Sequence, residues 1–343
     1  MCVLSTMQSC IHDFLCGAKR KRGPGKFVDL FCGIGGASTG AVAAGYEVVL
    51  AVDSWDEGIA AHARNHCKTV HLCLKLPSTR PLPLPSEGEH WHLHGSPPCT
   101  KLSIANQERV THDRDEALDL VRWYLDFALA STATTWSMEQ VATPKVIALL
   151  ESYRALGAPH RTRIAFDVFD FYEHGVPQHR RRLIAGSPEL VARLRRAPRV
   201  HRCVRDVIRN PRGTHVRHYM RYANPRVVGV VDGKTKYSYS YYGDDDCCYP
   251  VTGPSHVIIA GHALRWAWPG TGKKFELFLP EEAAALQCFP TGYALPVNPR
   301  QAMRGVGNAL PPVIMTQLLM EKARDVSPSL RRLPGPIGSL SSY

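Results

Sequence analysis

The sequence has no uninterrupted apolar run near the roughly 20 residues that a bilayer-spanning helix needs, which excludes a membrane span. It also shows no secretory signal, because the apolar stretch at its start is short and is broken by Ser5, Gln8, His12 and Asp13. We therefore expect an intracellular protein, in the cytoplasm of a bacterium or of a virus-infected cell, or in a nucleus. In a reducing compartment, the eleven cysteines favour buried thiols and a catalytic thiol over a disulfide framework.

Acidic residues are also scarce, 30 against 42 lysines and arginines, which gives a formal net charge of +12. The imbalance is strongest at residues 193–226, which hold eleven arginines and a single acid, Asp206. This composition suits a polyanionic partner such as nucleic acid, although a merely solvated cationic face has the same composition. Charge alone leaves both interpretations open.

Strand-like runs alternate with helical stretches along the first part of the chain. The runs lie at residues 26–31, 47–53, 90–94 and 134–139, and the helical stretches at residues 37–44, 56–66 and 114–130. This alternation predicts an α/β fold with a Rossmann-like, mostly parallel sheet and helices on both faces. Catalytic groups of such folds lie on loops at the carboxyl ends of the strands.

A glycine-rich turn joins the first predicted strand to the first predicted helix. Gly33, Gly35 and Gly36 would let the backbone approach a ligand closely. Asp53 ends the next strand and is placed to accept hydrogen bonds from ribose hydroxyls, and Trp55 either stacks on an adenine or simply packs. These residues predict an adenosine-bearing cofactor. Because the glycine spacing is not that of a dinucleotide site, a nicotinamide oxidoreductase is disfavoured.

A thiol, an acid and two arginines follow other strand-like runs. Cys99 ends a rigid Gly-Ser-Pro-Pro-Cys turn, where reactive groups of open α/β sheets sit, although an inert cysteine is the alternative for this residue alone. Glu139 ends another short strand, and Arg180 and Arg182 follow in an arginine-rich turn. We expect these groups to converge on one cleft.

Five motifs in this order resemble those of the cytosine-C5 DNA methyltransferases. They are DLFCGIGG at 29–36, PCTKLS at 98–103, MEQV at 138–141, QHRRR at 178–182 and GNALPP at 307–312. The resemblance covers residues 27–323. It implies S-adenosylmethionine as the cofactor, no metal, double-stranded DNA as the partner and a monomeric protein.

The resemblance also implies a role for each catalytic residue. Cys99 as a thiolate would add to C6 of a flipped-out cytosine, so that C5 can attack the sulfonium methyl. Glu139 would steady N3 and the exocyclic amine, while Arg180 and Arg182 would hold the base and a neighbouring phosphate. The implied cofactor-binding residues are Phe31, Gly33, Gly35, Gly36, Asp53, Trp55 and Asn308, and the implied substrate-binding residues are Pro98, Ser103 and Gln178.

The chain departs from the family pattern at three places. Thr100 stands where the family usually has Gln, and Gln140 stands where it usually has Asn. Residues 70–75 contain no acid, although an Asp there normally contacts the adenine amine. Two alternatives therefore stay open: a tRNA cytosine-C5 methyltransferase of the same fold, and a catalytically weak homologue that only binds nucleic acid.

The composition and the resemblance together predict five segments. We expect a flexible basic arm at 1–25, a catalytic cofactor-binding domain at 26–195 and a target-recognition domain at 196–265. A C-terminal part at 266–325 would complete the catalytic domain, with helices at residues 281–287 and 310–323, before a disordered tail at 326–343.

Overall fold

The computed structural model describes residues 25–98, 112–155, 164–217, 223–231, 234–240, 248–255, 257–258, 264–271 and 275–320. Cys99, Thr100 and Ser103 lie outside the described residues, as do residues 1–24 of the predicted arm and all of the predicted tail.

The main sheet has seven strands. They are β1 (Lys26–Leu30), β2 (Glu47–Asp53), β3 (Val70–Cys73), β4 (Trp91–Gly95), β5 (Thr135–Gln140), β6 (Ala165–Asp170) and β7 (Arg181–Gly186). Their spatial order is β3-β2-β1-β4-β5-β7-β6. Only β7 runs antiparallel to its neighbours. The predicted mostly parallel sheet is confirmed, and its carboxyl edge collects the ends of β1, β2, β4 and β5.

Some of the helices formed by the described residues cover both faces of this sheet. The helices are α1 (Gly36–Ala44), α2 (Asp56–Asn65), α3 (His112–Ala130), α4 (Pro144–Ala155), α5 (Pro188–Arg196), α6 (Val204–Val207), α7 (Pro280–Leu286), α8 (Pro299–Asn308) and α9 (Pro312–Leu319). One apolar core contains buried residues of α3 and α4, and the other contains buried residues of α1, α5 and α9. The strands pack between these two cores, and for this reason β1 and β4 are buried along most of their length.

The end of the described chain packs against its beginning. The Thr316 hydroxyl in α9 donates to the carbonyl of Gly40 in α1 at 3.0 Å. A Cβ at Gly36 would lie 2.2 Å from the Leu310 carbonyl oxygen, so only glycine allows this approach. The Tyr293 hydroxyl donates to the Ile34 carbonyl at 2.5 Å. The turn between β1 and α1 is therefore built partly by residues from the far end of the sequence.

A smaller antiparallel sheet follows the main one. Its strands are β8 (His215–Arg217), β11 (Cys248–Pro250), β12 (Arg265–Ala267) and β13 (Glu276–Leu277), in the order β11-β8-β12-β13. Strands β9 (Ala223–Val231) and β10 (Lys234–Ser240) form a separate hairpin. Trp266 stacks on Phe278 in the core beneath the sheet, with ring centroids 4.3 Å apart. The small sheet continues to Leu277, and the predicted domain boundaries remain predictions.

The predicted helix at residues 310–323 is wrong in its bounds. Two helices, α8 and α9, flank residues 309–311 instead, and α8 begins at Pro299. Ala309 is extended, with ψ 143°. Pro311 explains the break, because its ring disfavours helical backbone at the preceding residue. The glycines within α8 hid its helical pattern.

Candidate active site

A cavity of about 290 Å³ opens at the carboxyl edge of the main sheet. The turn after β1 lies at one end of it, and Glu139 of β5 lies at the other. The predicted site residues that line it are Phe31, Gly33, Gly36, Asp53, Trp55, Pro98, Glu139 and Asn308. Gly35, Gln178, Arg180 and Arg182 are not among its lining residues. One cleft therefore joins most of the predicted cofactor residues to the predicted catalytic acid.

Asp53 fixes the glycine turn. Its two carboxylate oxygens accept hydrogen bonds from the Gly33 N–H at 2.8 Å and from the Trp55 N–H at 2.9 Å. Burial raises the pKa of Asp53, although these N–H donors and Arg304 act in the opposite direction. Gly35 has φ +98°, and a Cβ there would lie 2.7 Å from the Tyr293 hydroxyl, so glycine is required. Its role is to shape the turn rather than to line the cleft.

Asp29, at the end of β1, lines the cleft, although the sequence did not predict it as a site residue. Its Oδ2 accepts the Ser38 hydroxyl at 2.6 Å, while its buried Oδ1 has no hydrogen-bond partner among the described residues. Burial raises the pKa of Asp29 to about 7. A buried carboxylate oxygen without a donor is costly, so it favours a cationic ligand group in the cleft. The only sequence signal was the position of Asp29 at the start of the first motif.

Arg304 is a second missed residue of the cleft. Its guanidinium lies 5.2 Å from the centroid of the Trp55 ring, within the range of a cation–π contact. It also lies close enough to Asp53 to lower the pKa of that carboxyl. Because α8 was not predicted, no sequence pattern placed Arg304 at the cleft.

Glu139 and Arg182 form an ion pair at the other end of the cleft. The Nε of Arg182 lies 3.0 Å from the Oε1 of Glu139, and both side chains are largely buried. Arg182 also donates from Nη1 to the Arg181 carbonyl at 2.8 Å. The contact is an ion pair without hydrogen-bond geometry, because the buried Oε1 of Glu139 has no hydrogen-bond partner among the described residues. Loss of either buried charge would be costly for the other.

The turn that precedes Cys99 is fastened by Gln140 and His94. The Gln140 side chain donates from Nε2 to the Pro97 carbonyl at 3.0 Å, and its Oε1 accepts the Val141 N–H at 2.7 Å. The Nε2 of His94 lies 3.0 Å from the Ser96 hydroxyl. Although Gln140 replaces the usual Asn of the family, its longer side chain still reaches the turn.

Arg180 and Gln178 are buried away from the cleft. The Arg180 guanidinium donates to the carbonyls of Ile258, Gly307 and Ala309 at 3.1–3.2 Å. Gln178 donates to the Leu286 carbonyl and accepts the Ile258 N–H at 3.0 Å. These two side chains join the main sheet to the C-terminal helices and to the smaller module, by which we mean the four-stranded antiparallel sheet and the apolar residues packed against it. Their predicted contacts with the base remain predictions.

Replacement of Arg180 by methionine should therefore destabilise the protein. The change removes a buried guanidinium and leaves carbonyls of Ile258, Gly307 and Ala309 without their donor. We expect the free energy of unfolding to fall by about 3 kcal/mol or more. Urea unfolding followed by circular dichroism measures it, with exposed Arg154→Met as the matched control. A small and equal fall in the free energy of unfolding of both variants would contradict a stabilising role for Arg180.

The described residues contain no cluster of His, Cys, Asp or Glu side chains suited to holding a metal ion. Within the same ranges, no helix has the length and apolar character needed to cross a bilayer.

Comparison with known proteins bears on the same cleft. The model of the C-5 cytosine-specific DNA methylase family matches residues 25–139, which include the glycine turn, Asp53 and Glu139. The type II methyltransferase M.HgiGI of Herpetosiphon aurantiacus is 33% identical over 102 residues, which are 30% of this chain and 76% of that protein. The chain belongs to the C-5 cytosine-specific DNA methylase family.

A second relative is matched over a smaller share of its length. The type II methyltransferase M.HgiDI of Herpetosiphon aurantiacus is 31% identical over 160 residues, 46% of this chain. The chain thus spans only half, 50%, of that relative. A crystal structure of a DNA modification methyltransferase encoded within an E. coli prophage superposes with a TM-score of 0.59 at 17% identity. The superposition covers 86% of this chain and 97% of the prophage protein, which confirms the predicted fold class.

Proposed function

We propose that the protein transfers a methyl group from S-adenosylmethionine to C5 of a cytosine in DNA. The observation that carries the proposal is the single cleft that joins the glycine turn and Asp53 to Pro98 and Glu139. A methyl donor and a target base must meet in one space for direct transfer, and this cleft offers such a space.

The cleft residues fit S-adenosylmethionine. Asp53 is placed to accept the ribose hydroxyls, with Trp55 against the adenine, while Asn308 lines the same wall. The buried Oδ1 of Asp29 suits the ammonium group of the methionine part. A Cβ at Gly33 would meet no atom within 4 Å, so the turn leaves open space beside it. When bound, this cofactor supplies a methyl group on a sulfonium, which a carbon nucleophile can attack.

The base end of the cleft supplies the groups that activate cytosine. Cys99 follows Pro98 directly, and its thiolate adds to C6, which makes C5 nucleophilic. Glu139, paired with Arg182, binds N3 and the exocyclic amine and supplies a proton to the ring as negative charge develops. After methyl transfer, water or hydroxide takes the C5 proton, and the electrons of the C5–H bond re-form the C5–C6 double bond and expel the Cys99 thiolate from C6. The ring then returns its extra proton to Glu139. The target base must first leave the DNA stack to reach this cleft.

The test is methyl transfer from labelled S-adenosylmethionine to unmethylated duplex DNA and to tRNA, measured side by side. We expect label in DNA, and bisulfite sequencing should place it on cytosine within a recurring short sequence. Label only in tRNA would move the protein to the RNA-modifying alternative. Cofactor binding without transfer to either nucleic acid would instead support the alternative of a binding homologue.

Cofactor affinity should depend on pH through Asp29. Because burial raises the pKa of Asp29 to about 7, the carboxyl is largely neutral at lower pH and attracts an ammonium group poorly. Affinity for S-adenosylmethionine should therefore rise as pH increases through 7, by roughly tenfold between about pH 5.5 and pH 7.5. Titration calorimetry measures this rise.

Two variants test whether the pH dependence of cofactor affinity comes from Asp29 or from other groups of the protein. Asp29→Asn should weaken binding at the higher pH and remove most of the rise. Asp167→Asn is the control, because Asp167 lies far along the sheet and pairs with Arg195 on the surface. A pH profile of Asp29→Asn that matches the unchanged protein would exclude Asp29 as the ammonium partner.

A further inference from the structure

Three rings form a surface cluster that the proposed chemistry does not use. The Tyr172 ring stacks on His201, with centroids 4.8 Å apart and an interplanar angle of 26°. The Tyr172 ring also contacts the His179 ring, with centroids 4.7 Å apart. Both imidazoles are exposed, whereas Tyr172 is half-buried. We refer to Tyr172, His179 and His201 as the imidazole platform.

Asp170 fixes the orientation of His179. Its Oδ2 lies 2.8 Å from the Nδ1 of His179, and its Oδ1 accepts the N–H groups of Arg180 and Tyr172 at 3.0 and 3.2 Å. With Nδ1 held by the carboxylate, the other ring nitrogen, Nε2, is the one able to meet a ligand. In the protonated imidazole, Nε2 carries a hydrogen and can donate it to an anion.

The platform lies on the same edge of the main sheet as the cleft. Asp170 ends β6 opposite Arg181 of β7, and Gln140 at the carboxyl end of β5 pairs with Leu183 of β7. Strand β7 lies between β6 and β5. The end of β6, which carries Asp170, therefore lies two strand spacings, about 10 Å, from β5. The His179 N–H also donates to the Ser255 carbonyl at 3.3 Å, so the platform adjoins the smaller module.

The charges around the platform favour an anionic partner. Glu173, on the same short helical turn as Tyr172, is engaged by Arg199, which also approaches the buried His174. Asp170 is occupied by its three donors. The neighbouring Arg181 side chain is exposed. Glu173 and Asp170 are thus already paired, while the Arg181 side chain is open to solvent.

We propose that the imidazole platform binds a backbone phosphate of the DNA strand beside the flipped cytosine. This inference rests on the proposed function and adds a contact to it. The protonated His179 donates from Nε2 to a phosphate oxygen, and His201, stacked on Tyr172, provides a second donor on the same surface. A phosphate fits better than a base edge, because imidazolium and guanidinium groups recognise anions without reading sequence.

The experiment measures equilibrium binding of a short fluorescent DNA duplex by anisotropy, using the full chain. His179→Ala and His201→Ala should each raise the dissociation constant roughly 3–10-fold, because each change removes one charge-assisted hydrogen bond to a phosphate. Each should also reduce the slope of log K against log salt by about 1, because one phosphate contact is lost. His90→Ala is the matched control, an exposed histidine just before β4 at the opposite edge of the sheet.

The outcomes separate this inference from the proposed function. If the unchanged protein does not bind the duplex, the DNA partner itself is wrong. If it binds and His179→Ala behaves like His90→Ala, the platform is not a phosphate site while the proposed function stands. Weaker binding with an unchanged salt slope would indicate a structural effect and overturn the inference. Stronger binding of tRNA, with the same histidine dependence, would overturn DNA as the partner.

Discussion

Replacing Cys99 by alanine should abolish methyl transfer, a loss of at least about 10⁴-fold, because no other group then activates C5 of the cytosine. Affinity for S-adenosylmethionine should change little, since Asp29, Asp53 and Trp55 at the other end of the cleft remain. The measurement is transfer of labelled methyl under single-turnover conditions, together with calorimetric cofactor binding.

A covalent test makes the Cys99 prediction sharper. Duplex DNA that carries 5-fluorocytosine should form a stable adduct with the unchanged protein, because a fluorine at C5 cannot leave as a proton does. Cys99→Ala should form none. Cys67→Ala, which alters an exposed thiol after α2, should form the adduct at the normal rate. Adduct formation by Cys99→Ala would disprove the assignment of the nucleophile.

Glu139→Gln should lower the rate of methyl transfer by roughly 10²–10⁴-fold. The amide keeps the size of the side chain but can neither supply the ring with a proton nor balance the charge of Arg182, which lies 3.0 Å away. Since the change affects the base end of the cleft, the loss should appear in kcat rather than in cofactor affinity. Rapid-quench measurement of single turnovers gives the rate of the chemical step.

Glu151→Gln is the control for this variant. Glu151 pairs with Arg154 at 3.1 Å on the exposed face of α4, so its replacement removes an ion pair without touching the cleft. Its transfer rate should equal that of the unchanged protein. A Glu139→Gln variant that is equally active would show that Glu139 only positions Arg182.

The catalytic edge of the sheet was predictable from sequence because its strands are short, apolar and followed by distinctive turns. Strands β1 and β2 and the glycine turn between β1 and α1 lie within a residue or so of their predicted positions. Asp53 and Glu139 were found because each ends a strand, and parallel strands bring their carboxyl ends together. These features depend on local pattern and on one topological rule.

The direction of side chains was not predictable in the same way. Arg180 and Arg182 are separated by one residue and occur in one motif, yet Arg180 donates to backbone carbonyls while Arg182 pairs with Glu139. Which guanidinium is buried depends on α8 and the smaller module, because Gly307 and Ile258 contact Arg180 from distant sequence. The strand order of the small sheet was equally unpredictable from the sequence, because β8 pairs with β11 and β12 rather than with β9. Such non-local pairing leaves little trace in a local pattern.

The contact between α9 and α1 has a consequence for how the protein is made. The Thr316 to Gly40 hydrogen bond joins residues 276 positions apart. A ribosome needs on the order of 15–55 s to add that many residues, so the glycine turn emerges long before the segment that covers it. During that interval the apolar face of α1 is exposed, which makes the nascent chain a natural client for chaperones. Slowing synthesis between the two segments should therefore increase aggregation more than slowing it after α9.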